Sequence, residues 1–180
     1  MSSPSHPEPD SPASAPDQHR SYAPDSVCCQ VLTVSDSRTP QDDRSGDLIQ
    51  QLLSGAGHSI AGRAIVPDDP GAVSERVLAA IARPDVDAVL LTGGTGIAPR
   101  DSTVEAVEPL LDRRLDGFGE LFRALSFQEI GAAAMLSRAL AGTAGRTAIF
   151  LMPGSTAAVR LAVERLILPE LAHLIGQLRR

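Results

Sequence analysis

The sequence predicts an α/β fold in which a mostly parallel sheet carries helices on both faces. Short apolar segments of strand length alternate with amphipathic segments of helical spacing along most of the 180 residues. The connections between them are short, and such an alternation is typical of parallel sheets covered by helices. Aromatic residues make up only 3% of the chain, so we expect a core of Leu, Val, Ile and Ala.

The first half of the chain predicts two strands, each followed by a helix. Residues 29–34 and 60–66 are the apolar strand segments. Residues 45–53 place four apolar side chains on one face of a helix, and glycines follow directly as an expected stop. Asp69 is suited to cap the second helix, and Pro70 is suited to its first turn.

The second half continues the alternation. Residues 88–91 form a short, fully apolar segment, as central strands of parallel sheets do. Ser102 and Glu105 have the spacing of a capping box, which predicts that a helix starts there. The remaining expected elements are helices at residues 120–128 and 132–140, a strand at 147–151, a helix capped by Ser155 that runs towards Ile167, and a last helical segment from Pro169.

The chain is expected to contain one folded domain behind an N-terminal tail. Residues 1–26 consist largely of Pro, Ser, Ala and Asp and contain almost no large apolar side chain. Such a segment buries too little surface to offset the entropy lost on ordering, so we expect it to be disordered. Residues 27–180 have a length that suits one globular domain.

Composition and charge exclude several classes of protein. The net charge of -6 argues against a nucleic-acid-binding protein, which normally carries a basic surface. No segment has the apolar length of a membrane span, and the N-terminus lacks the order of a secretory signal. Cys28 and Cys29 are adjacent rather than spaced as zinc ligands. We therefore expect a soluble, cytoplasmic protein that binds neither nucleic acid nor a membrane.

The sequence contains no lysine, so every basic side chain apart from histidine is an arginine. This excludes a P-loop lysine, a Schiff-base lysine and a lysine general base. Any bound anion has to be held by arginine, backbone N–H groups, helix N-termini or a metal ion.

Polar loops are predicted to meet at one edge of the sheet. Residues 35–38, 92–103 and 153–155 each follow a strand, and Asp68 lies in the loop after another strand. Ligands of open parallel sheets bind beyond the carboxyl ends of the strands. The sequence therefore predicts a ligand site at this edge.

The loop at residues 92–103 has the features of a phosphate site. Its glycines allow the backbone to approach a ligand and to turn N–H groups towards it, and the N-terminus of the next helix favours negative charge. The missing lysine excludes a Walker A loop, and Pro99 stands where the dinucleotide fingerprint needs its third glycine. The alternative is a tight turn without a binding function.

Two acidic residues, Asp68 and Asp101, adjoin this loop. Each has a simpler explanation, Asp101 as a helix N-terminal charge and Asp68 as a solvated loop carboxylate. Carboxylates beside a phosphate site repel the ligand unless a divalent cation lies between them, and Mg²⁺ bridges carboxylates and phosphate oxygens in this way. The acids and the anion site are therefore compatible only if Mg²⁺ is present.

Four ordered motifs resemble the MoaB/Mog family of molybdopterin-binding proteins. They are VSDSRT at residues 34–39, LTGGTG at 91–96, RDST at 100–103 and MPGS at 152–155. Residues 115–131 look most like the MoaB members, and the likeness extends from about residue 30 to the C-terminus. The resemblance implies a three-layer αβα molybdopterin-binding fold, assembled as a trimer or hexamer.

The resemblance also implies an activity and a set of site residues. Members are expected to adenylylate molybdopterin with ATP and Mg²⁺ and to release pyrophosphate. The functional aspartates of the family fall on Asp68 and Asp101, which we expect to act through Mg²⁺ and through positioning. The phosphate-, pterin- and nucleotide-binding positions implied are Ser35, Thr92, Gly93, Gly94, Thr95, Gly96, Arg100, Thr103, Gly154 and Ser155.

Some alternatives stay open at this point. Arg100 and Arg38 either neutralise phosphate charge or are ordinary surface arginines. The chain is either an adenylyltransferase or a non-catalytic molybdopterin-binding or carrier protein of the same pathway, and a scaffold module is a third possibility. Retention of Asp101 in the Arg-Asp-x-Thr motif favours the enzyme.

Overall fold

The computed structural model describes residues 23–180 of the chain. Most of the expected tail, residues 1–22, lies outside the described residues, so its disorder stays a prediction. Within residues 23–180, no helix combines the length and the apolar character that crossing a membrane requires.

Strands and helices alternate along the described chain, and two short 3₁₀ helices and one π-helical turn connect some of them. The 3₁₀ helices span Glu108–Leu110 and Gly131–Leu136, and the π-helical turn spans Val163–Ile167. The elements are β1 (Cys28–Val34), α1 (Arg44–Gly55), β2 (Ser59–Val66), α2 (Pro70–Ile81), β3 (Ala88–Thr92), α3 (Thr103–Val107), β4 (Arg113–Arg114), α4 (Asp116–Ile130), β5 (Leu140–Ala144), β6 (Thr147–Met152), α5 (Thr156–Ala162) and α6 (Leu168–Leu178).

The strands form one six-stranded sheet in the order β2-β1-β3-β6-β5-β4. The first four strands are parallel, whereas β5 runs antiparallel to β6 and β4 antiparallel to β5. In the centre, Leu32 of β1 is level with Leu91 of β3, which is level with Leu151 of β6. The carboxyl ends of β1, β2, β3 and β6 therefore lie at the same edge, and the prediction of a mostly parallel sheet is confirmed.

Apolar side chains cover both faces of the sheet, which confirms the three-layer arrangement. On one face, Val31 and Leu90 pack in a cluster with residues of α1, α4, α5 and α6. On the other face, Leu32 and Leu91 pack in a second cluster with residues of α2 and α3. Successive residues of a strand point to opposite faces, so the fully apolar central strands supply both cores.

Two of the predicted helix caps are confirmed. Asp69 accepts a hydrogen bond from the backbone N–H of Ala72 (2.8 Å), and Pro70 occupies the first turn of α2. Ser155 accepts one from the N–H of Ala158 (3.2 Å) at the start of α5. Both polar side chains thus satisfy an N–H group that has no partner inside its helix.

The predicted helix at residues 132–140 is wrong. Gly131, with φ +64°, ends α4, and a short 3₁₀ helix at Gly131–Leu136 leads into strand β5. Strand β5 consists mainly of small residues, which give little strand signal in the sequence. Its Gly142 is required because a Cβ there would lie 2.5 Å from the carbonyl oxygen of Arg113 on β4.

The capping box predicted at Ser102 and Glu105 is also wrong. Ser102 precedes α3 but makes no side-chain capping hydrogen bond, and the helix has only five residues. The carboxylate of Glu105 instead pairs with the guanidinium of Arg138. Glu105 thus takes part in a long-range ion pair instead of the predicted local cap.

Asp43 forms a buried polar junction between β1, β2 and the start of α1. Its side chain is 1% exposed and accepts hydrogen bonds from the Thr33 hydroxyl (2.8 Å) and the Gly46 N–H (2.9 Å). The guanidinium of Arg63 on β2 pairs with the same carboxylate (2.8 Å). Asp43 is thus fully satisfied although it is buried.

We predict that Asp43→Ala lowers the free energy of unfolding by about 3 kcal/mol, because it removes a helix cap and leaves Arg63 half-buried without its main partner. Urea denaturation followed by circular dichroism measures the loss. Asp47→Ala is the matched control, since Asp47 contacts the same guanidinium with a side chain that is 61% exposed. Its loss should stay below about 1 kcal/mol, and equal losses in the two variants would contradict the role of Asp43.

Candidate functional site

The loops that follow β1, β2, β3 and β6 are joined by direct hydrogen bonds. The hydroxyl of Thr92 donates to the carbonyl of Pro153 (3.0 Å), and the N–H of Gly93 donates to the carbonyl of Met152 (3.1 Å). Asp36, after β1, accepts a hydrogen bond from the N–H of Asp68, after β2 (2.9 Å). The predicted convergence of polar loops at the carboxyl edge is confirmed.

The loop after β3 depends on two glycines with positive φ. Gly93 has φ +106° and Gly94 has φ +62°, a region that other residues rarely adopt. A Cβ at Gly93 would overlap the carbonyl oxygen of Val34. A Cβ at Gly94 would overlap the hydroxyl of Thr103 and lie 3.0 Å from Oδ1 of Asp68. The loop therefore passes through a space that only glycine fits.

A cavity of about 360 Å³ opens above this loop. Of the residues predicted for the site, those that line it are Gly93, Gly94, Thr95, Gly96, Asp101, Gly154 and Ser155. The opposite wall is largely apolar and was not predicted; its residues are Phe122, Ser126, Ile130, Ala133, Ala134, Leu136, Ser137 and Ala158. The cavity thus combines a backbone-rich floor with an apolar wall, the usual composition of a small-molecule site.

A larger cavity, about 500 Å³, lies elsewhere, beside the amino ends of β3 and β6. Its charged lining includes Arg83 and Arg179, but these are already paired with Asp85 and Asp87. It contains none of the loops at the carboxyl edge. Size alone therefore does not identify the functional site, and we assign it to the smaller cavity.

Asp68 lies directly behind Gly94. Its Oδ1 atom is buried and has no hydrogen-bond partner, and the buried hydroxyl of Thr103 is also unpartnered. Burial raises the pKa of the Asp68 carboxyl, a backbone hydrogen bond from Ser102 lowers it, and the neighbouring charges of Asp101 and Asp36 raise it further. Two unpaired polar oxygens therefore face one position beside the loop, which is unusual for buried groups.

Asp101 has a different environment. Its Oδ2 accepts a hydrogen bond from the N–H of Ala98 (2.9 Å) and would lie 2.5 Å from a Cβ at Gly96. The carboxylate thus closes the loop on itself and also faces the cavity. The brace uses only one of the two carboxylate oxygens of Asp101.

Several predicted residues stand outside the cavity. The Ser35 hydroxyl accepts hydrogen bonds from the N–H groups of Ser37 (3.3 Å) and Arg38 (3.2 Å), so it stabilises its own turn. The guanidinium of Arg38 donates to the carbonyl of Asp42 (3.1 Å). Arg100 is exposed at the loop, where its charge lowers the pKa of Asp68. Thr92 and Thr103 are buried beneath the loop.

Arg138 is a site residue that the sequence did not indicate. Its Nη2 donates to the carbonyl of Asp101 (2.6 Å) and its Nε donates to the carbonyl of Thr95 (3.4 Å). Its Nη1 pairs with the carboxylate of Glu105. Because these partners lie 33 to 43 residues away along the chain, no local motif could have revealed them.

The residues fit Mg²⁺ better than a metal held by protein alone. Among residues 23–180 there is no group of three or more His, Cys, Asp or Glu side chains that could hold a metal ion. Mg²⁺ is usually bound by one or two carboxylates, with water and substrate phosphates as the other ligands. Asp101 lines the cavity, whereas Asp68 does not, and the unpartnered oxygen of Asp68 lies behind Gly94. These are the two carboxylates that would hold Mg²⁺.

The fold and the candidate site define an α/β protein with a cavity above a glycine-rich loop at the carboxyl edge of its sheet. A family model described as "Probable molybdopterin binding domain" matches residues 30–173. "Molybdenum cofactor biosynthesis protein B" of Bacillus cereus is 51% identical over 164 residues, which cover 91% of this chain and 97% of that protein. The chain belongs to this family of molybdopterin-binding domains, which includes the MoaB and Mog proteins.

Solved structures support the same assignment. A crystal structure of molybdenum cofactor biosynthesis protein B superposes with a TM-score of 0.85 at 53% identity, over 88% of this chain and 99% of that chain. The tungsten cofactor synthesizing protein MoaB from Pyrococcus furiosus superposes with a TM-score of 0.79 at 38% identity, over 88% of this chain and all (100%) of that one. The resemblance drawn from the four motifs is therefore confirmed.

We predict that Gly94→Ala destabilises the protein more than Gly145→Ala. Both glycines have positive φ, +62° and +57°, but a Cβ at Gly145 meets nothing within 4 Å. Gly145→Ala should therefore cost only the conformational strain, about 1 kcal/mol. Gly94→Ala should cost about 1–3 kcal/mol more through steric overlap. Urea denaturation measures both, and equal losses would show that Gly94 has room for a side chain.

Proposed function

We propose that this protein adenylylates molybdopterin, using ATP and Mg²⁺ and releasing pyrophosphate, as a step of molybdenum cofactor biosynthesis. The observation that supports this most is the cavity at the carboxyl edge of the sheet, whose lining combines Gly93, Gly94 and Gly96 of the loop with the carboxylate of Asp101. The names of its relatives, molybdenum cofactor biosynthesis protein B in bacteria and a tungsten cofactor synthesizing protein in Pyrococcus furiosus, support the pathway.

The proposed reaction joins two phosphate-bearing molecules. An oxygen of the terminal phosphate of molybdopterin attacks the α-phosphorus of ATP. The bond between the α-phosphorus and the oxygen that bridges the α- and β-phosphates breaks, and pyrophosphate leaves with the electron pair of that bond. The attacking phosphate is already ionised at neutral pH, so no side chain has to remove a proton. The main barrier is repulsion between anions and charge that builds on the leaving group, which calls for fixed donors.

The chain's own residues would meet this need mainly through its backbone. Amides of the glycine-rich loop would bind phosphate oxygens, and the Ser155 hydroxyl would donate a further hydrogen bond while its oxygen caps α5. The apolar wall around Phe122 and Ala134 would exclude water and accommodate the pterin. Asp68 and the remaining oxygen of Asp101 would hold Mg²⁺, which neutralises phosphate charge when it is bound.

We predict that purified protein releases pyrophosphate when it is given molybdopterin, ATP and Mg²⁺. Asp101→Asn and Asp68→Asn should each lower kcat by about 10²–10³-fold, the usual cost of losing one preorganised charge-stabilising group. In Asp101→Asn the amide oxygen still accepts the hydrogen bond from Ala98, so this variant removes the charge while it preserves the brace. A coupled pyrophosphate assay gives the rates.

Asp85→Asn is the matched control, because Asp85 is an exposed aspartate in an ion pair with Arg83, next to the other cavity. Its rate should equal that of the wild type. Stoichiometric binding of molybdopterin without pyrophosphate release would instead support the alternative, a non-catalytic molybdopterin-binding or carrier protein. Loss of activity in Asp85→Asn would show that the assay reports general damage.

We further propose that the protein is a homo-oligomer, a trimer or hexamer. Four large apolar side chains at the end of α4 and in the 3₁₀ helix that follows it are exposed: Phe127 by 61%, Ile130 by 60%, Met135 by 76% and Leu136 by 50%. Several exposed large apolar side chains within ten residues of the chain are typical of an interaction surface. Since Ile130 and Leu136 also line the cavity, a second copy seated here would contact the candidate site.

We predict that light scattering coupled to size exclusion gives the mass of a trimer or hexamer for the wild type. Phe127→Asp and Met135→Asp should shift the mass to that of the monomer, because a charge buried in an apolar interface is strongly unfavourable. Leu78→Asp on α2, where Leu78 is 50% exposed, is the control and should leave the mass unchanged. A monomeric wild type would contradict the proposal.

A further inference from the structure

Arg138 spans the glycine-rich loop from behind. Its side chain is 30% exposed and does not line the cavity, although the preceding residue, Ser137, does. Its guanidinium donates to the backbone carbonyls of Thr95 and Asp101, which lie on either side of residues 96–100. One side chain therefore links the two ends of the exposed part of the loop.

Backbone hydrogen bonds also constrain the loop, and at its base the N–H of Thr103 donates to the carbonyl of Gly94 (3.1 Å). Inside it, the N–H of Asp101 donates to the carbonyl of Ala98 (2.8 Å), and the N–H of Ala98 donates to the carboxylate of Asp101 (2.9 Å). Residues 97–100 are exposed. Glycine loses more conformational freedom on ordering than any other residue. A brace across residues 96–100 therefore offsets part of the entropy that this glycine-rich loop loses when it is ordered.

The chemistry of Arg138 suits this task. A guanidinium presents several N–H donors in a fixed plane and can hold separate acceptors at once, whereas an ammonium behaves as a point charge. The carboxylate of Glu105 pairs with Nη1, the guanidinium nitrogen that does not contact the loop. The hydrogen bond from Arg138 lowers the pKa of the Glu105 carboxyl. The ion pair keeps the guanidinium in place and neutralises its charge behind the loop.

We propose that Arg138 is a positioning residue that holds the glycine-rich loop in its ligand-binding conformation. It acts through the backbone of Thr95 and Asp101 and touches neither substrate. Without the guanidinium, the binding-competent conformation is only a fraction of the population, and the apparent affinity for a ligand falls by that fraction. The effect on ligand affinity rests on the function proposed above, whereas the effect on the loop does not.

The test compares Arg138→Gln, Arg138→Lys and Glu105→Gln with a control, Arg83→Gln, in full-length protein without ligand. Hydrogen exchange of the amides of Ala98 and Asp101 reports opening of the loop, as does the rate of tryptic cleavage after Arg100, followed by mass spectrometry. Because the chain has no lysine, trypsin cuts only at arginine and the fragment is unambiguous. Arg83, like Arg138, pairs with a carboxylate, but it lies beside the other cavity.

We expect both rates to rise by about tenfold in Arg138→Gln, less in Arg138→Lys and least in Glu105→Gln, because the last variant keeps both bonds to the loop carbonyls. Arg83→Gln should match the wild type. Exchange in the central strands β1, β3 and β6 should not change in any variant. Unchanged rates in Arg138→Gln, or equal acceleration in the loop and the central strands, would overturn the proposal.

A kinetic readout separates positioning from chemistry. In the pyrophosphate assay, Arg138→Gln should raise KM for ATP by about tenfold and leave kcat within about twofold. The reason is that bound substrate holds the loop in the same conformation in the variant as in the wild type. Asp101→Asn should instead lower kcat. A fall in kcat at unchanged KM in Arg138→Gln would overturn the positioning role. If the wild type releases no pyrophosphate, the proposed function fails, and the ligand-free measurements still decide on Arg138.

Discussion

Close backbone contact at Gly93 is the constraint on which the carboxyl edge of the sheet depends. A Cβ at Gly93 would overlap the carbonyl of Val34, and a Cβ on Gly154 would lie 3.4 Å from the Cα atom of Gly93. The ends of β1, β3 and β6 therefore pack backbone against backbone. Ser45, in the first turn of α1, holds the segment after β6 through its hydrogen bond to the carbonyl of Gly154 (2.7 Å). Because no side chain separates the segments, main-chain atoms of the loop form the floor of the cavity.

The parallel part of the sheet was predictable from the sequence because its signals are local. The strands β1, β3 and β6 are apolar runs of strand length, and their side chains are buried on both faces. The antiparallel edge was not predictable in this way. Strand β5 contains small residues, and the reason for Gly142 is the proximity of Arg113 and Leu111 from another segment. Only the tertiary fold brings these residues together.

The candidate site likewise contains some residues that the sequence could indicate and others that it could not. The glycine-rich loop and Asp101 belong to one contiguous motif, so the sequence could indicate them and their chemistry. Phe122 and Ile130, which form part of the apolar wall, carry no binding signal, because an apolar residue on a helix is as readily explained by the core. The contribution of Arg138 depends on backbone carbonyls 37 and 43 residues away. A backbone acceptor leaves no trace in residue identity, so such contacts are invisible to motif analysis.

The charges around the loop explain why anion and cation have to bind together in the proposed reaction. No lining residue of the cavity is cationic, and the charge of Arg138 is neutralised by Glu105 behind the loop. The raised pKa of Asp68 reflects the cost of holding its negative charge in a partly desolvated position near Asp101. A phosphate added to these carboxylates increases the repulsion, whereas a divalent cation alone lacks the phosphate oxygens that complete its coordination. In the proposed reaction each ligand would therefore remove the main obstacle to binding the other, and the site would favour the pair over either one alone.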